Sequence, residues 1–272
     1  MISKSKIFVL SASAFTIFTV VGHTSFAAES GTPEARRLNG ILERTAGQTS
    51  TFLDQFSDVK CTEQVRQEKL GKDNKVELKE ESSYDYLVIL TNSGGELNLS
   101  ESRIPIHEPK KDRKNTSMLL SNGFATLFLV FHPIYADAFK FALDGQEVIA
   151  GHTLQKIAFQ HITGMKSPAA LALRGREYPL ELTGTAWIDA ETGSIAKIEA
   201  GIADTLQDVG LKTLSSEIDF SPLTFADAKQ AYWFPTQARV EVETARQHWR
   251  NLHQFTGYKK FSVSTEEKVT QK

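Results

Sequence analysis

Apolar and polar residues alternate along most of the chain from Val59 onward, as in β-strands whose successive side chains point to opposite faces. Alternation is clearest before Asp189, where the residues expected to share one buried face are Leu180, Leu182, Gly184, Ala186 and Ile188. Polar turns with Gly, Asn or Asp separate such segments. The pattern predicts strands at 59–70, 76–90, 96–106, 138–143, 147–161, 177–189, 194–202, 211–220, 236–244 and 248–261.

Two segments have helical rather than alternating patterns. The first runs from Pro33 to Phe56, with Thr32 as a candidate N-cap and Pro33 suited to the first turn. The second, 117–131, contains no charged residue, and four of its apolar residues lie at helical spacing: Leu120, Phe124, Leu127 and Phe131. A helix that is apolar nearly all round must be buried or must touch something apolar.

These elements predict a mainly antiparallel β fold with a few α-helices. We expect one curved sheet or unclosed β-barrel, with the N-terminal helix and the apolar helix plugging its concave face. The second segment is either plain core or a mobile lid over an apolar pocket, and the pattern alone does not distinguish the two.

The N-terminus has the three parts of a cleavable secretory signal peptide. Lys4 and Lys6 precede an uncharged apolar run, and Ser25 and Ala27 are the small residues that signal peptidase requires. We therefore expect residues 1–27 to be removed and the product to be periplasmic.

The mature chain is expected to be a single half-barrel domain spanning 28–272, with a polar, frayed tail at 264–272. No cysteine stands directly after the cleavage site, where a lipid would be attached, so a lipoprotein is not expected. The one cysteine, Cys61, cannot form an internal disulfide and has no partner motif. We expect it to be passive.

The charge balance argues against nucleic acid as a partner. Without Lys4 and Lys6, the 31 basic residues become 29 against 33 acidic ones, a net charge of −4.

No motif for catalysis or metal binding emerges from the spacing of chemically active residues. His152 and His161 are separated by an odd number of positions, as are His248 and His253, so each pair should point to opposite faces of its strand. Neither a metal nor a cofactor is expected. The carboxylates weighed as hydrolase candidates are Asp85, Asp144, Glu147, Asp189 and Glu191.

The hairpin Gly184-Thr185-Ala186-Trp187-Ile188-Asp189, followed by Thr192-Gly193 and Ile195, resembles a strand–turn–strand of the periplasmic lipoprotein-carrier superfamily, the outer-membrane lipoprotein-sorting proteins. Trp233-Phe234-Pro235 before a strand is also similar. The resemblance covers about half of the mature chain. It implies an unclosed β-barrel with helices at its mouth and an apolar cavity for acyl chains. No position matches the family's ligand-gripping arginine, so the cargo stays open.

The hypothesis that these observations favour is a non-enzymatic periplasmic carrier of an apolar ligand, either a lipid or an acylated protein, with transient contact with membranes. The residues expected to line its cavity are Leu120, Phe124, Leu127, Phe128 and Phe131. The main alternative is an interaction or regulatory module that binds another exported protein on its concave sheet. A carboxylate hydrolase is the third and least favoured.

Overall fold

The computed structural model describes residues 31–93, 96–107, 124–149, 151–173, 176–225 and 231–260. Its strands all pair antiparallel, ten in one large sheet and two in a small one. In chain order they are β1 (Val59–Leu70), β2 (Val76–Ser93), β3 (Glu96–Pro105), β4 (Phe139–Ile149), β5 (His152–His161), β6 (Ala170–Leu173), β7 (Arg176–Pro179), β8 (Leu182–Ile188), β9 (Ile195–Ile202), β10 (Leu211–Leu223), β11 (Tyr232–Thr244) and β12 (His248–Lys260).

The large sheet is unclosed, as the alternating pattern predicts. Its order is β3-β2-β1-β12-β11-β10-β9-β8-β5-β4, so the first and last described strands pair at its interior. Strands β3 and β4 form its edges and do not pair with each other. The fold is therefore a curved, open half-barrel.

One long helix covers the concave face. Helix α1 (Pro33–Phe56) spans 24 residues, and the side chain of its N-cap, Thr32, accepts a hydrogen bond from the Ala35 amide at 3.1 Å. A 3₁₀ helix at Phe124–Phe131, which we call the plug helix, lies beside α1, and the one-turn helix α2 (Pro133–Ala136) follows it. None of the described helices is both long and apolar enough to cross a bilayer.

The two faces of the large sheet differ sharply in polarity. The concave face carries the apolar core, which includes Ile157, Ile198 and Phe220, and it packs on α1 and the plug helix. The opposite face, which we call the outer face, carries ion pairs such as Lys197 with Glu217 at 2.7 Å. Burial of Leu182, Ala186 and Ile188 confirms the face predicted for β8.

The predicted break at 144–146 is wrong. Asp144-Gly145 has the composition of a turn, but β4 continues to Ile149, and the turn comes at Gly151. The register with β5 shifts between Leu143 and Gln146, with Gly145 at φ +88°, so the pair forms a bulge inside the strand.

Prolines displace two other predicted boundaries. The segment predicted as one strand at 177–189 is divided after Pro179, and its first part pairs with the unpredicted β6 in the small sheet. Conversely, β11 begins at Tyr232 and runs through Pro235. Its register with β10 shifts next to this proline, between Asp219 and Phe220, which accommodates a residue without an N–H.

Candidate functional site

The described side chains of the plug helix, at 127–131, are buried, as its uncharged sequence predicts. Every residue from Leu127 to Phe131 is at most 5% exposed. Of the predicted cavity residues, Leu127, Phe128 and Phe131 are thus buried core. Leu120 lies outside the described residues, and so does the Phe124 side chain, although the Phe124 backbone begins the helix.

Phe128 joins the plug helix to both α1 and the sheet. Its ring stacks on Phe52 of α1 at a centroid distance of 4.3 Å and meets Phe220 of β10 edge-on at 4.5 Å. Phe131 points elsewhere, toward Phe141 at 5.4 Å and Phe159 at 5.9 Å. The two phenylalanines therefore belong to different parts of the core.

A cleft of about 220 Å³ opens beside Phe128, between α1, the turn after β8 and the start of β11. Phe52 and Phe128 line it together with Ile195 and two aromatic residues of β11, Tyr232 and Trp233. The rest of the lining is small or polar but uncharged: Gln48, Thr49, Gln55, Thr192, Gly193, Ser194 and Ala231. Phe128 is the one predicted cavity residue among the described residues that line this cleft.

One wall of the cleft is the turn of the Trp187-Ile188-Asp189 hairpin. Asp189 Oδ1 accepts hydrogen bonds from the amides of Glu191 and Thr192, at 2.9 and 2.8 Å. Gly193 follows at φ +76°, where a Cβ would lie 2.5 Å from the carbonyl carbon of Arg44 on α1. Arg44 Nε also donates to the Ala190 carbonyl at 3.0 Å. The motif thus seats the turn directly on α1.

The middle of α1 contributes a buried hydroxyl to the cleft. Thr49 is 1% exposed, and its Oγ1 has no hydrogen-bond partner among the described residues. Thr45, one turn earlier and equally buried, donates to the Ile41 carbonyl at 2.9 Å. The polar interruption in the apolar stripe of α1 therefore faces the interior.

A second buried polar feature is a charged cluster on the concave face between β1, β3 and β12. Arg103 binds both oxygens of Glu63, at 2.5 and 2.9 Å, and pairs with Glu101 at 3.0 Å. His253 Nδ1 lies 2.7 Å from Glu63 Oε1. The sequence contains a signal for this cluster, because Glu63 and His253 are in phase with buried neighbours along their strands.

The charged cluster is arranged for stability rather than for acid–base chemistry. Burial alone would raise the pKa of Glu63, but hydrogen bonds from His253 and Arg103 outweigh it and hold that pKa below its ordinary value. A general acid needs the opposite shift. Burial also raises the pKa of the nearby Cys61 thiol to about 12, which disfavours a reactive thiolate.

The five carboxylates considered for hydrolysis are distributed over β2, β4 and the turn after β8, and four of them already have a partner within the protein. Asp85 pairs with Lys60 at 3.4 Å and Asp144 with Lys156 at 3.8 Å. Glu147 accepts a hydrogen bond from the Trp187 indole at 2.7 Å. Asp189 caps its turn, and Glu191 is an exposed residue of that turn. The structure does not bring these five side chains together at one site.

The histidine pairs point to opposite faces, which confirms the inference from their odd spacing. His248 bonds Glu241 on the outer face, whereas His253 bonds Glu63 on the concave face. His152 is exposed beside Trp233, whereas His161 is buried against Phe139. Within the described ranges, no three His, Cys, Asp or Glu residues cluster as a metal site would require.

A larger groove of about 620 Å³ lies on the outer face across β1, β12, β11 and β10. Its side chains are mostly polar or charged, including Arg66, Glu81, Glu217 and Arg239. Small-molecule sites are usually lined by apolar and aromatic groups. The smaller cleft beside Phe128 fits that description, and the groove does not.

No family model and no curated protein matches the sequence. Several solved structures align with most of this chain. A DUF1329 family protein from Desulfovibrio piger aligns over 84% of this chain and 95% of its own, with 10% identity and a TM-score of 0.44. A domain from Vibrio parahaemolyticus named for outer membrane lipoprotein sorting aligns over 85% and 95%, with 9% identity and a TM-score of 0.39.

A more distant match is the MucA/MucB complex of Pseudomonas aeruginosa, over 80% of this chain and 99% of that one, with 10% identity and a TM-score of 0.21. At these identities the likeness concerns the fold alone.

Proposed function

We propose that this protein is a non-enzymatic periplasmic binder of an apolar ligand, the acyl chain of a lipid or of an acylated protein, which enters the cleft beside Phe128. The observation that supports the proposal most directly is that Phe128 belongs both to the cleft and to the apolar core. It lines the cleft and also belongs to an uncharged helix that fills the concave face. Displacing its ring would extend the cleft into the apolar core.

The energetics favour displacement by a chain of modest length. At about 220 Å³ the cleft is smaller than the ~300–1,000 Å³ of sites that enclose drug-sized ligands. Exposing a buried Phe costs roughly 1.5–3 kcal/mol, and burying a methylene contributes about 0.8 kcal/mol. A chain that buries more than about four methylenes therefore offsets the movement of Phe128.

Filling the cleft mouth tests the proposal without disturbing the core. Ala231 is exposed and lines the cleft, so Ala231→Trp should block it. The matched control is Ala245→Trp, at an exposed position in the turn between β11 and β12. Binding is followed by the fluorescence of the apolar dye N-phenyl-1-naphthylamine, with native mass spectrometry of protein isolated from the periplasm to detect bound lipid.

We expect the wild type and Ala245→Trp to bind the dye equally, and Ala231→Trp to bind at least tenfold more weakly. Absence of dye binding and of any co-purifying lipid would overturn the proposal. Recovery of one protein partner in stoichiometric amount, again without lipid, would favour the interaction-module alternative instead.

The proposal includes export and maturation. We propose that the working protein is residues 28–272, a single domain without attached lipid; the tail predicted at 264–272 lies outside the described residues. Intact-mass measurement of the periplasmic protein should give the unmodified mass of a chain that begins at Ala28. A retained leader or a lipid adduct would contradict this part of the proposal.

A further inference from the structure

We infer that the ligand of the cleft is a neutral acyl ester or amide, whose carbonyl oxygen accepts a hydrogen bond from Thr49. This inference rests on the proposed function and specifies the ligand class. It is based on one unpartnered buried hydroxyl and on the absence of charged side chains among the described residues that line the cleft.

The Thr49 hydroxyl is exceptional on its own helix. Thr45, Ser50 and Thr51 each donate to the carbonyl four residues earlier, at 2.9–3.1 Å. Thr49 makes no such bond, although it is 1% exposed, and no other described residue partners its Oγ1. Buried polar groups are nearly always hydrogen-bonded, and one left unpaired is unfavourable. Its place in the cleft wall, beside Phe52 and Phe128, makes a ligand atom the natural partner.

The lining restricts what that ligand atom can be. The described residues that line the cleft include no Lys, Arg, His, Asp or Glu. A carboxylate or phosphate buried there would have no cation to pair with, and burying an unpaired charge is strongly unfavourable. A neutral carbonyl needs one donor, which the Thr49 hydroxyl supplies. A plain hydrocarbon would leave that hydroxyl unpaired.

Matched ligands and variants of one helix test the inference. Methyl decanoate, decanoate at pH 8 and undecane each compete with N-phenyl-1-naphthylamine for the full mature chain. The variants are Thr49→Val, which keeps the shape and removes the hydroxyl, Thr49→Ser, which restores it, and Thr45→Val, which removes a hydroxyl already bonded to Ile41.

In the wild type, methyl decanoate should compete better than decanoate. The ratio of ester to hydrocarbon affinity should fall about fivefold in Thr49→Val, the value of one net hydrogen bond. Thr49→Ser and Thr45→Val should keep the wild-type ratio. Thermal unfolding without ligand should show Thr49→Val at least as stable as the wild type and Thr45→Val less stable, because only Thr45 loses a formed bond.

Different outcomes contradict the proposed function and the inferred ligand class. If neither the dye nor any competitor binds, the proposed function is wrong. If all bind but Thr49→Val leaves the ester-to-hydrocarbon ratio unchanged, Thr49 does not hold the ligand and this inference alone is wrong. Preference for decanoate over its ester would likewise overturn the neutral class while leaving the binder intact.

Discussion

At the scale of single residues, Gly193 joins the turn after β8 to α1. Alanine there would meet two costs: a positive φ, roughly 1–2 kcal/mol for an L-residue, and a Cβ 2.5 Å from the helix backbone. Because backbone cannot yield as a flexible side chain does, the turn would have to leave α1. We expect Gly193→Ala to lower the free energy of unfolding by about 3 kcal/mol, measured by urea denaturation.

Gly210 is the matched control for Gly193. It has a similar φ of +71°, but a Cβ there would meet nothing within 4 Å. Gly210→Ala should therefore show the conformational cost alone, about 1 kcal/mol. Equal losses in the two variants would mean that the turn does not pack against α1 in solution.

Cys61 is predicted to be inert in the folded protein. Its pKa of about 12 leaves roughly 10⁻⁴ of the thiol ionised at pH 8, whereas about a quarter of a free cysteine with pKa ~8.5 is ionised there. Reaction with a thiol reagent such as Ellman's reagent should be more than 10³-fold slower in the native protein than in urea. Native labelling at the rate of the unfolded chain would contradict burial of Cys61.

At the scale of elements, α1 and the plug helix are held together by aromatic packing. The stacked rings of Phe52 and Phe128, 4.3 Å apart, should be coupled by about 0.5–1.5 kcal/mol. A double-mutant cycle with Phe52→Leu, Phe128→Leu and the double variant measures this coupling from urea denaturation.

The control cycle pairs Phe52→Leu with Phe139→Leu. The ring of Phe139 contacts the rings of Phe141, Phe159 and His161, and none of these three rings contacts the ring of Phe52. Those two substitutions should add within about 0.5 kcal/mol. Additivity in the first cycle as well would show that the plug helix does not depend on α1.

The elements that the sequence predicts well are those set by local periodicity. Alternation in β8 and the cap at Thr32 are local properties, and both are found in the structure. The bulge at Gly145 and the passage of β11 through Pro235 depend on register with a neighbouring strand. No local pattern contains that register, so these two boundaries were predicted wrongly.

At the candidate site, too, local properties are predicted from the sequence and long-range contacts are not. The uncharged composition of 117–131 predicts a buried element, and Phe128 does line the cleft. Residues such as Thr49 and Tyr232 could not be associated with it, because they are brought to Phe128 from α1 and β11 by long-range packing. The carboxylate candidates failed for the opposite reason: being acidic and near turns does not place side chains together.

At the scale of the whole molecule, two different kinds of interaction stabilise the concave face of the large sheet. An apolar core under α1 and the plug helix fills the middle of the concave face. Toward the β3 edge the same face carries the charged cluster, in which Arg103 bridges Glu63 and Glu101. Breaking a buried ion pair is strongly destabilising, because the remaining charge is left uncompensated. The cluster therefore makes the stability of the fold dependent on pH.

The pH dependence follows from Glu63. Hydrogen bonds from His253 and Arg103 outweigh burial and depress its pKa in the folded state below the ordinary value of 4.5. In acid, the unfolded chain therefore binds this proton more readily than the folded one. The stabilisation is complete above about pH 5 and is lost as pH falls from there through the folded pKa. At neutral pH, Glu63→Gln should lower the free energy of unfolding by about 3 kcal/mol.

Urea denaturation between pH 3 and pH 7 measures this dependence. The difference between wild type and Glu63→Gln should be largest near neutrality and shrink below pH 5, because protonation neutralises the wild-type carboxylate that the variant already lacks. Glu243→Gln, which removes an exposed pair with Lys212 at 3.0 Å, should stay within about 0.5 kcal/mol of wild type throughout. A Glu63→Gln difference that is constant over the whole range would mean that Glu63 is not ionised in the folded protein, and that the charged cluster does not hold β1, β3 and β12 together.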